Sequence, residues 1–96
     1  MLLSLSDREM RDLRAFLDGN EDCEALSECE YVADLYDIEA PLTINLVFCE
    51  KGVRIDGACY LGYDSEMEGY YIDRPIEDAQ PVLYALREAG AFCAES

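Results

Sequence analysis

The chain has 96 residues, and 51% of them are hydrophobic. This length fits a single domain, residues 1–96, because one hydrophobic core is usually built from about 100 to 150 residues. The hydrophobic fraction excludes a disordered acidic tail, which buries too little apolar surface to fold. The net charge of −15, from 22 acidic and 7 basic residues, excludes direct binding to nucleic acid or anionic lipid, because both are bound through Lys and Arg.

The first predicted element is a helix from Asp7 to Leu17. It begins with the capping box Ser6-Asp7-Arg8-Glu9, in which a hydroxyl and a carboxylate accept hydrogen bonds from free backbone N–H groups at the helix start. Asp18-Gly19-Asn20 ends it. The apolar residues at helical spacing are Met10, Leu13, Phe16 and Leu17.

The segment from Glu21 to Tyr36 also has apolar residues at helical spacing, with carboxylates opposite them. This pattern predicts a second helix, continuous or broken near Ser27. Pro41 ends the region, because the residue before a proline is disfavoured in the helical conformation. The apolar positions are Cys23, Leu26, Cys29, Val32, Ala33, Leu35 and Tyr36.

Three runs rich in β-branched and aromatic residues follow, separated by Lys51-Gly52 and by a polar loop from Asp64 to Gly69. They predict a three-stranded antiparallel meander. Gly57, inside the second run, indicates a bulge or a short turn. The runs are Leu42 to Cys49, Val53 to Tyr63 and Tyr70 to Asp73.

A last helix is predicted after Asp78, which can cap its first turn, where Pro81 is tolerated. Gly90 ends it. The resulting order is ααβββα. Helices, then strands, then a helix are typical of an α+β fold, here a three-stranded antiparallel sheet with the helices packed on one face.

Acidic residues are concentrated between Asp18 and Glu39, and there is no Lys or Arg from Ala15 to Glu50. Carboxylates four residues apart on a helix repel each other, and an ordinary solvated face mixes both signs. The absence of basic residues among these carboxylates therefore indicates a surface that binds a basic partner and disfavours a face that only contacts water.

A second acidic segment, Asp64 to Glu68, lies beside tyrosines. Most of the seven tyrosines are expected in the sheet and core with one end in water. Tyr63 and one of Tyr70 and Tyr71 are expected to be exposed interface anchors, with carboxylates around them to meet Arg or Lys. The predicted partner-binding residues are Asp18, Glu21, Asp22, Glu24, Glu28, Glu30, Asp34, Asp37, Asp64, Glu66, Glu68 and Tyr70.

The sequence matches known metal-binding and catalytic motifs poorly. Asp18-Asn20-Asp22 fits the start of a calcium-binding loop, but Cys23 and Cys29 occupy the positions that need Gly and Glu. A second fragment from Asp64 reaches Pro75 at its last ligand position. Because the chain also lacks histidine and the common nucleotide-binding and nucleophile motifs, we expect no enzyme activity, no bound metal and no cofactor.

The five cysteines are odd in number, lack CxxC spacing and mostly interrupt apolar runs. We therefore expect the cysteines to act as small buried hydrophobic residues without disulfides, in a protein of a reducing compartment. The N-terminal apolar stretch is too short for a signal peptide and lacks a basic flank, and no later run is long enough to span a membrane. A cytoplasmic protein is expected, and its charge favours a monomer.

In size and charge over its full length, the chain resembles small phage-encoded inhibitors of bacterial defence, especially DNA-mimicking anti-CRISPR and anti-restriction proteins. In that group, carboxylates imitate DNA phosphates and occupy the basic groove of a CRISPR effector complex or nuclease. The resemblance implies a non-enzymatic inhibitor of such a partner in the cytoplasm of a bacterial host cell, and it transfers no residue role by position. The alternatives are an immunity protein or antitoxin against a basic nuclease toxin, and a structural adaptor subunit.

Overall fold

Six β-strands and two α-helices form the fold in the computed structural model, which describes residues 1–92. The helices are α1 (Asp7–Asp18), between β1 and β2, and α2 (Ala79–Glu88), after β6. Within the described range, neither is long and apolar enough to pass through a membrane. The strands are β1 (Leu2–Ser4), β2 (Cys23–Ala25), β3 (Glu30–Leu35), β4 (Leu42–Cys49), β5 (Gly52–Asp64) and β6 (Gly69–Pro75).

The strands form one antiparallel sheet in the order β1-β5-β4-β3-β2, with β6 also paired to β5. The longest strand is β5, which has 13 residues and pairs with three other strands. One edge of β5 pairs with β4, so β1 and β6 share its other edge, beside residues 52–54 and 59–64 respectively. As a result, β2 is an outer strand, and the β5–β6 hairpin lies at one end of the sheet.

One face of the sheet packs against both helices. In β4 the side chains of Leu42, Ile44, Leu46 and Phe48 are buried, while those between them are partly or fully exposed. This alternation follows from the period of two in a strand and leaves the second face of the sheet open to solvent. The helix residues buried in the same core are Leu13, Leu17, Val82, Ala85 and Leu86.

Both helices begin at the predicted caps. The Glu9 N–H donates to the Ser6 hydroxyl at 3.1 Å, and the Ser6 N–H donates to the Glu9 carboxylate at 3.0 Å, which confirms the capping box of α1. The Asp78 carboxylate accepts a hydrogen bond from the Gln80 N–H at 3.3 Å and caps α2. Each cap marks where the chain turns from a strand into a helix, after β1 and after β6.

The predicted ααβββα order and three-stranded sheet are wrong. Residues 21–36 contain the hairpin β2–β3 instead of a helix, and β1 is a further strand. In β3 the buried Tyr31, Ala33 and Leu35 alternate with less buried residues, a period of two that competes with helical spacing in so short a segment. An extended strand also separates Glu30 from Asp34 by about 13 Å, whereas a helix would bring these like charges together.

The predicted irregularity at Gly57 is a bulge. The pairing of β4 with β5 shifts between Asn45 and Leu46, which face Gly57 and Ile55, so Asp56 is the extra residue. The strand continues through the bulge to Asp64, and no turn splits it. A second shift, between Tyr60 and Leu61, occurs in the pairing of β5 with β6.

Candidate partner-binding surface

The carboxylates of the β2–β3 region lie together at the outer edge of the sheet. Half of them belong to the hairpin β2–β3, two directly precede β2, and Asp18 lies at the C-terminal end of α1, which contacts β2. All of them are exposed. This surface, called the acidic edge below, consists of Asp18, Glu21, Asp22, Glu24, Glu28 and Glu30.

Short-range hydrogen bonds hold the backbone of the acidic edge. The Asn20 side chain accepts a hydrogen bond from the Asp22 N–H at 2.8 Å, and the Asp34 N–H donates to the Asp22 carbonyl at 3.0 Å. At the hairpin turn, the Leu26 N–H donates to the Glu30 carbonyl at 2.8 Å. The carboxylates therefore project from a hydrogen-bonded hairpin.

Asp18 is in an unfavourable position for a carboxylate. The last turn of α1 contains no basic residue, and the negative end of the helix dipole lies there. The Tyr31 hydroxyl offsets part of this repulsion by donating a hydrogen bond to Asp18 at 2.9 Å. Burial of Tyr31, together with this carboxylate, raises the pKa of the tyrosine above its usual value.

The acidic edge has no ion-pair partner among residues 1–92. The two ion pairs in that range lie elsewhere, Arg54 with Asp56 at 2.7 Å and Arg74 with Asp73 at 3.4 Å. Arg14 is near, but its guanidinium lies 4.5 Å from the Phe48 ring centroid and donates to the backbone carbonyl of Glu28 at 3.1 Å. The carboxylates of the edge thus form no ion pair within residues 1–92, while Arg54 is near enough to Glu30 to interact with it electrostatically.

Asp34 and Asp37 are not among the exposed residues that define the acidic edge, although the Asp34 backbone N–H donates to the Asp22 carbonyl. Asp34 is half-buried in β3, alternates with the buried Ala33 and Leu35, and accepts a hydrogen bond from the Thr43 hydroxyl. It therefore lies on the open face of the sheet. Asp37 is exposed in the loop after β3. Glu30 of the acidic edge lies on the same face as Asp34 by this alternation. The stretch predicted as one helix face is thus spread over the hairpin β2–β3 and the loops beside it.

The β5–β6 hairpin, residues 61–72, exposes a concentration of large apolar side chains and is called the aromatic arm below. Tyr63 is 57% exposed and Tyr70 is 44% exposed. Their rings contact each other edge to face, with centroids 5.1 Å apart. The other large exposed apolar side chains of the arm are Met67, Tyr71 and Ile72.

Tyr70 and Tyr71 are both exposed, although only one of the two was expected to point outward. The expectation failed because β6 is exposed along both faces. Tyr71 lies opposite Gly62 in the pairing of β5 with β6. A Cβ atom on Gly62 would lie 2.4 Å from Cζ of Tyr71, so the ring occupies the space that a side chain on that residue would need.

Tyr36 contacts the aromatic arm, and the sequence did not predict this contact. Its ring lies 4.6 Å from that of Tyr70, with 31° between the planes. It had been placed among the apolar positions of a helix, but it follows the alternating run of β3. Burial of Tyr36, with Asp34 nearby, raises the pKa of its hydroxyl above the usual value.

The loop of the arm carries the second predicted acidic segment. Asp64 Oδ1 accepts hydrogen bonds from the N–H groups of Glu66 at 2.9 Å and Met67 at 3.4 Å. Glu68 has a φ of 53°, in the left-handed region, and completes the turn. Because Glu66 and Glu68 are exposed, this loop places carboxylates beside the exposed tyrosines.

The cysteines depart from their predicted role as buried residues. Cys29 is exposed at the hairpin turn, while Cys23, Cys49 and Cys59 are half-buried, and these four thiols are free. Burial of Cys23, with Asp22 and Asp34 nearby, raises its pKa to about 11. Cys93 lies outside the described residues.

The described part of the chain contains no group of three or more Cys, Asp and Glu side chains arranged to hold a metal ion. Comparison of the chain with protein-family models, with curated proteins and with solved structures gives no match. The geometry of the acidic edge and the aromatic arm is therefore the basis on which a function can be argued.

Proposed function

We propose that this protein is a non-enzymatic acidic inhibitor that binds the basic, nucleic-acid-binding surface of a bacterial defence complex in the cytoplasm of the host cell. The observation that supports this function best is the acidic edge. Its carboxylates are exposed and lack ion-pair partners within residues 1–92, and Arg14, which lies beside the edge, contacts rings and a carbonyl instead.

Unpaired carboxylates on one edge repel each other in the free protein. A surface rich in Lys and Arg relieves this repulsion when it binds and gains charge-assisted hydrogen bonds. The negative electrostatic field of these carboxylates accelerates encounter with a basic partner and opposes contact with anionic molecules. A basic groove that normally holds DNA or RNA has the required sign and density of charge.

The hydrogen-bonded hairpin suits this role. A rigid support keeps the carboxylates in place before binding, so that less conformational entropy is lost when the partner arrives. The bonds of Asp22 to Asn20 and to Asp34 supply such support. The edge is therefore expected to bind with little rearrangement.

The aromatic arm favours an immunity protein or antitoxin as a second candidate. Exposed tyrosines such as Tyr63 and Tyr70 are typical anchors of an interface with one particular protein, whereas a mimic of nucleic acid needs mainly charge. Such a protein would bind one cognate nuclease toxin, and its affinity would depend strongly on the arm.

Capture from bacterial lysate, followed by competition with duplex DNA on the purified partner, tests the proposed function. We expect a nucleic-acid-binding protein or complex that releases this protein as DNA is added. A partner whose binding is insensitive to both DNA and salt would contradict inhibition by occupation of a basic groove and would favour a structural adaptor.

A further inference from the structure

The tip of the aromatic arm contains a cavity of about 270 Å³. Three kinds of group line it: a carboxylate, a flexible thioether and two tyrosines. This combination differs from the acidic edge, where carboxylates project into solvent. The lining residues are Asp64, Met67, Gly69, Tyr70 and Tyr71.

No cation of the arm itself can neutralise this cavity. The sequence has no Lys or Arg between Arg54 and Arg74, and Arg74 lies over the Tyr60 ring at 4.4 Å. Asp64 uses Oδ1 for two backbone N–H groups, and Oδ2 accepts no hydrogen bond within residues 1–92. One oxygen of a half-buried carboxylate is therefore available to a donor from outside.

We infer that this cavity receives an arginine side chain of the partner, an inference that rests on the proposed function because it requires a basic partner. The guanidinium donates to Asp64 Oδ2, its flat face stacks on a tyrosine ring, and its aliphatic stem packs against Met67. The carboxylate supplies charge complementarity, and the rings add a cation–π attraction.

Arginine fits these walls better than lysine does. Its planar, delocalised cation stacks on aromatic faces and is less strongly hydrated than an ammonium group. Two arginines of this chain already lie over aromatic rings, Arg14 over Phe48 at 4.5 Å and Arg74 over Tyr60 at 4.4 Å. A single arginine at the tip would also give the arm a specificity that charge on the acidic edge does not supply.

The test is an NMR titration of the ¹⁵N-labelled full chain with the capped peptide acetyl-Gly-Arg-Gly-amide. Parallel titrations use the matching lysine peptide and the uncharged citrulline peptide. We expect the arginine peptide to shift the amide signals of residues 64–71 and to bind more tightly than the lysine peptide. The citrulline peptide should leave these signals in place.

The variant Asp64→Asn removes the charge but keeps an oxygen that can accept from Glu66 and Met67. It should weaken binding of the arginine peptide at the tip at least about fivefold, because a charge-assisted hydrogen bond is lost. The matched control Glu77→Gln removes an exposed carboxylate from the segment before α2 and should leave binding at the tip unchanged.

Shifts confined to the acidic edge, or equal binding by the native chain and Asp64→Asn, would overturn the cavity as an arginine site. That failure is separable from failure of the proposed function, which is judged by competition between the captured partner and DNA. If DNA still displaces this protein from the partner while the arginine peptide does not bind at the tip, the proposed inhibitor function is retained and the arginine site is wrong.

Discussion

The ring of Tyr70 on the aromatic arm stacks on the ring of Tyr36 at the end of β3, with centroids 4.6 Å apart. Tyr36 directly follows β3, and β3 carries Glu30 of the acidic edge, so this contact links the two proposed binding regions. It explains how an exposed hairpin can keep a defined orientation relative to the edge.

Truncation of Tyr36 should loosen the arm. Tyr36→Ala removes the stacking partner of Tyr70, and we expect the free energy of unfolding to fall by about 1 to 3 kcal/mol. Amide hydrogen exchange should speed up in residues 61–72 more than in α1. The matched control is Tyr84→Ala, since Tyr84 is 61% exposed on α2. Equal effects of the two variants on the arm would contradict this role of Tyr36.

Self-repulsion within the acidic edge should appear as a dependence of stability on salt. Added salt screens the carboxylates, so the free energy of unfolding in urea should rise between low ionic strength and about 0.15 M. Reversal of Glu24, Glu28 and Glu30 to Lys should reduce this rise without unfolding the chain. If the free energy of unfolding of this variant rises with salt as steeply as that of the native protein, the repulsion lies elsewhere.

Cysteine reactivity should follow the exposure and the pKa of the thiols. Cys29 is exposed, whereas burial and nearby carboxylates raise the pKa of Cys23 to about 11, which leaves little thiolate at pH 8. Iodoacetamide at pH 8 should therefore modify Cys29 well before Cys23, as measured by mass spectrometry of the resulting peptides. Asp34→Asn removes one of the charges near Cys23 and should increase its rate. Faster modification of Cys23 than of Cys29 in the folded protein would contradict this assignment.

The tyrosines should make the fold sensitive to alkali. Burial raises the pKa values of Tyr31 and Tyr36, so both remain neutral in the folded chain at a pH where the unfolded chain ionises. Their contribution to stability is complete below the unfolded pKa of about 10 and is lost as pH rises through the folded values. The free energy of unfolding should therefore fall above about pH 10, and Tyr36→Phe, which keeps the ring, should make the fall shallower. An unchanged pH dependence in Tyr36→Phe would contradict the role of its hydroxyl.

Local signals predicted the elements whose ends are fixed by side chains. The capping pair Ser6 and Glu9 and the cap Asp78 marked both helices, because each satisfies backbone groups within its own turn. Gly57 marked the bulge for a similar reason, since it directly follows Asp56, the extra residue of the bulge. Features determined by a few neighbouring residues can be identified without knowledge of the rest of the chain.

The β2–β3 hairpin could not be identified in this way. Ala33 and Leu35 belong both to the apolar positions of the predicted helix and to the buried positions of the strand. Pairing with β4, which lies later in the chain, selects the strand. The contact between Tyr36 and Tyr70 spans 34 residues of sequence and depends on the same pairing. The sequence therefore identified the acidic residues of the proposed surface, but it did not predict their arrangement along one edge of the sheet.

The most direct measurement of the central claim is the dissociation constant of the captured partner as a function of salt for three proteins. These are the native chain, the edge reversal Glu24→Lys, Glu28→Lys and Glu30→Lys, and a control with the same change in charge outside the edge, Glu39→Lys, Glu50→Lys and Glu77→Lys. We predict that native affinity falls at least about tenfold between about 50 and 300 mM salt. The edge reversal should abolish binding, and the control should retain most of it. Intact binding by the edge reversal, or equal losses in the two reversals, would contradict the acidic edge as the binding surface.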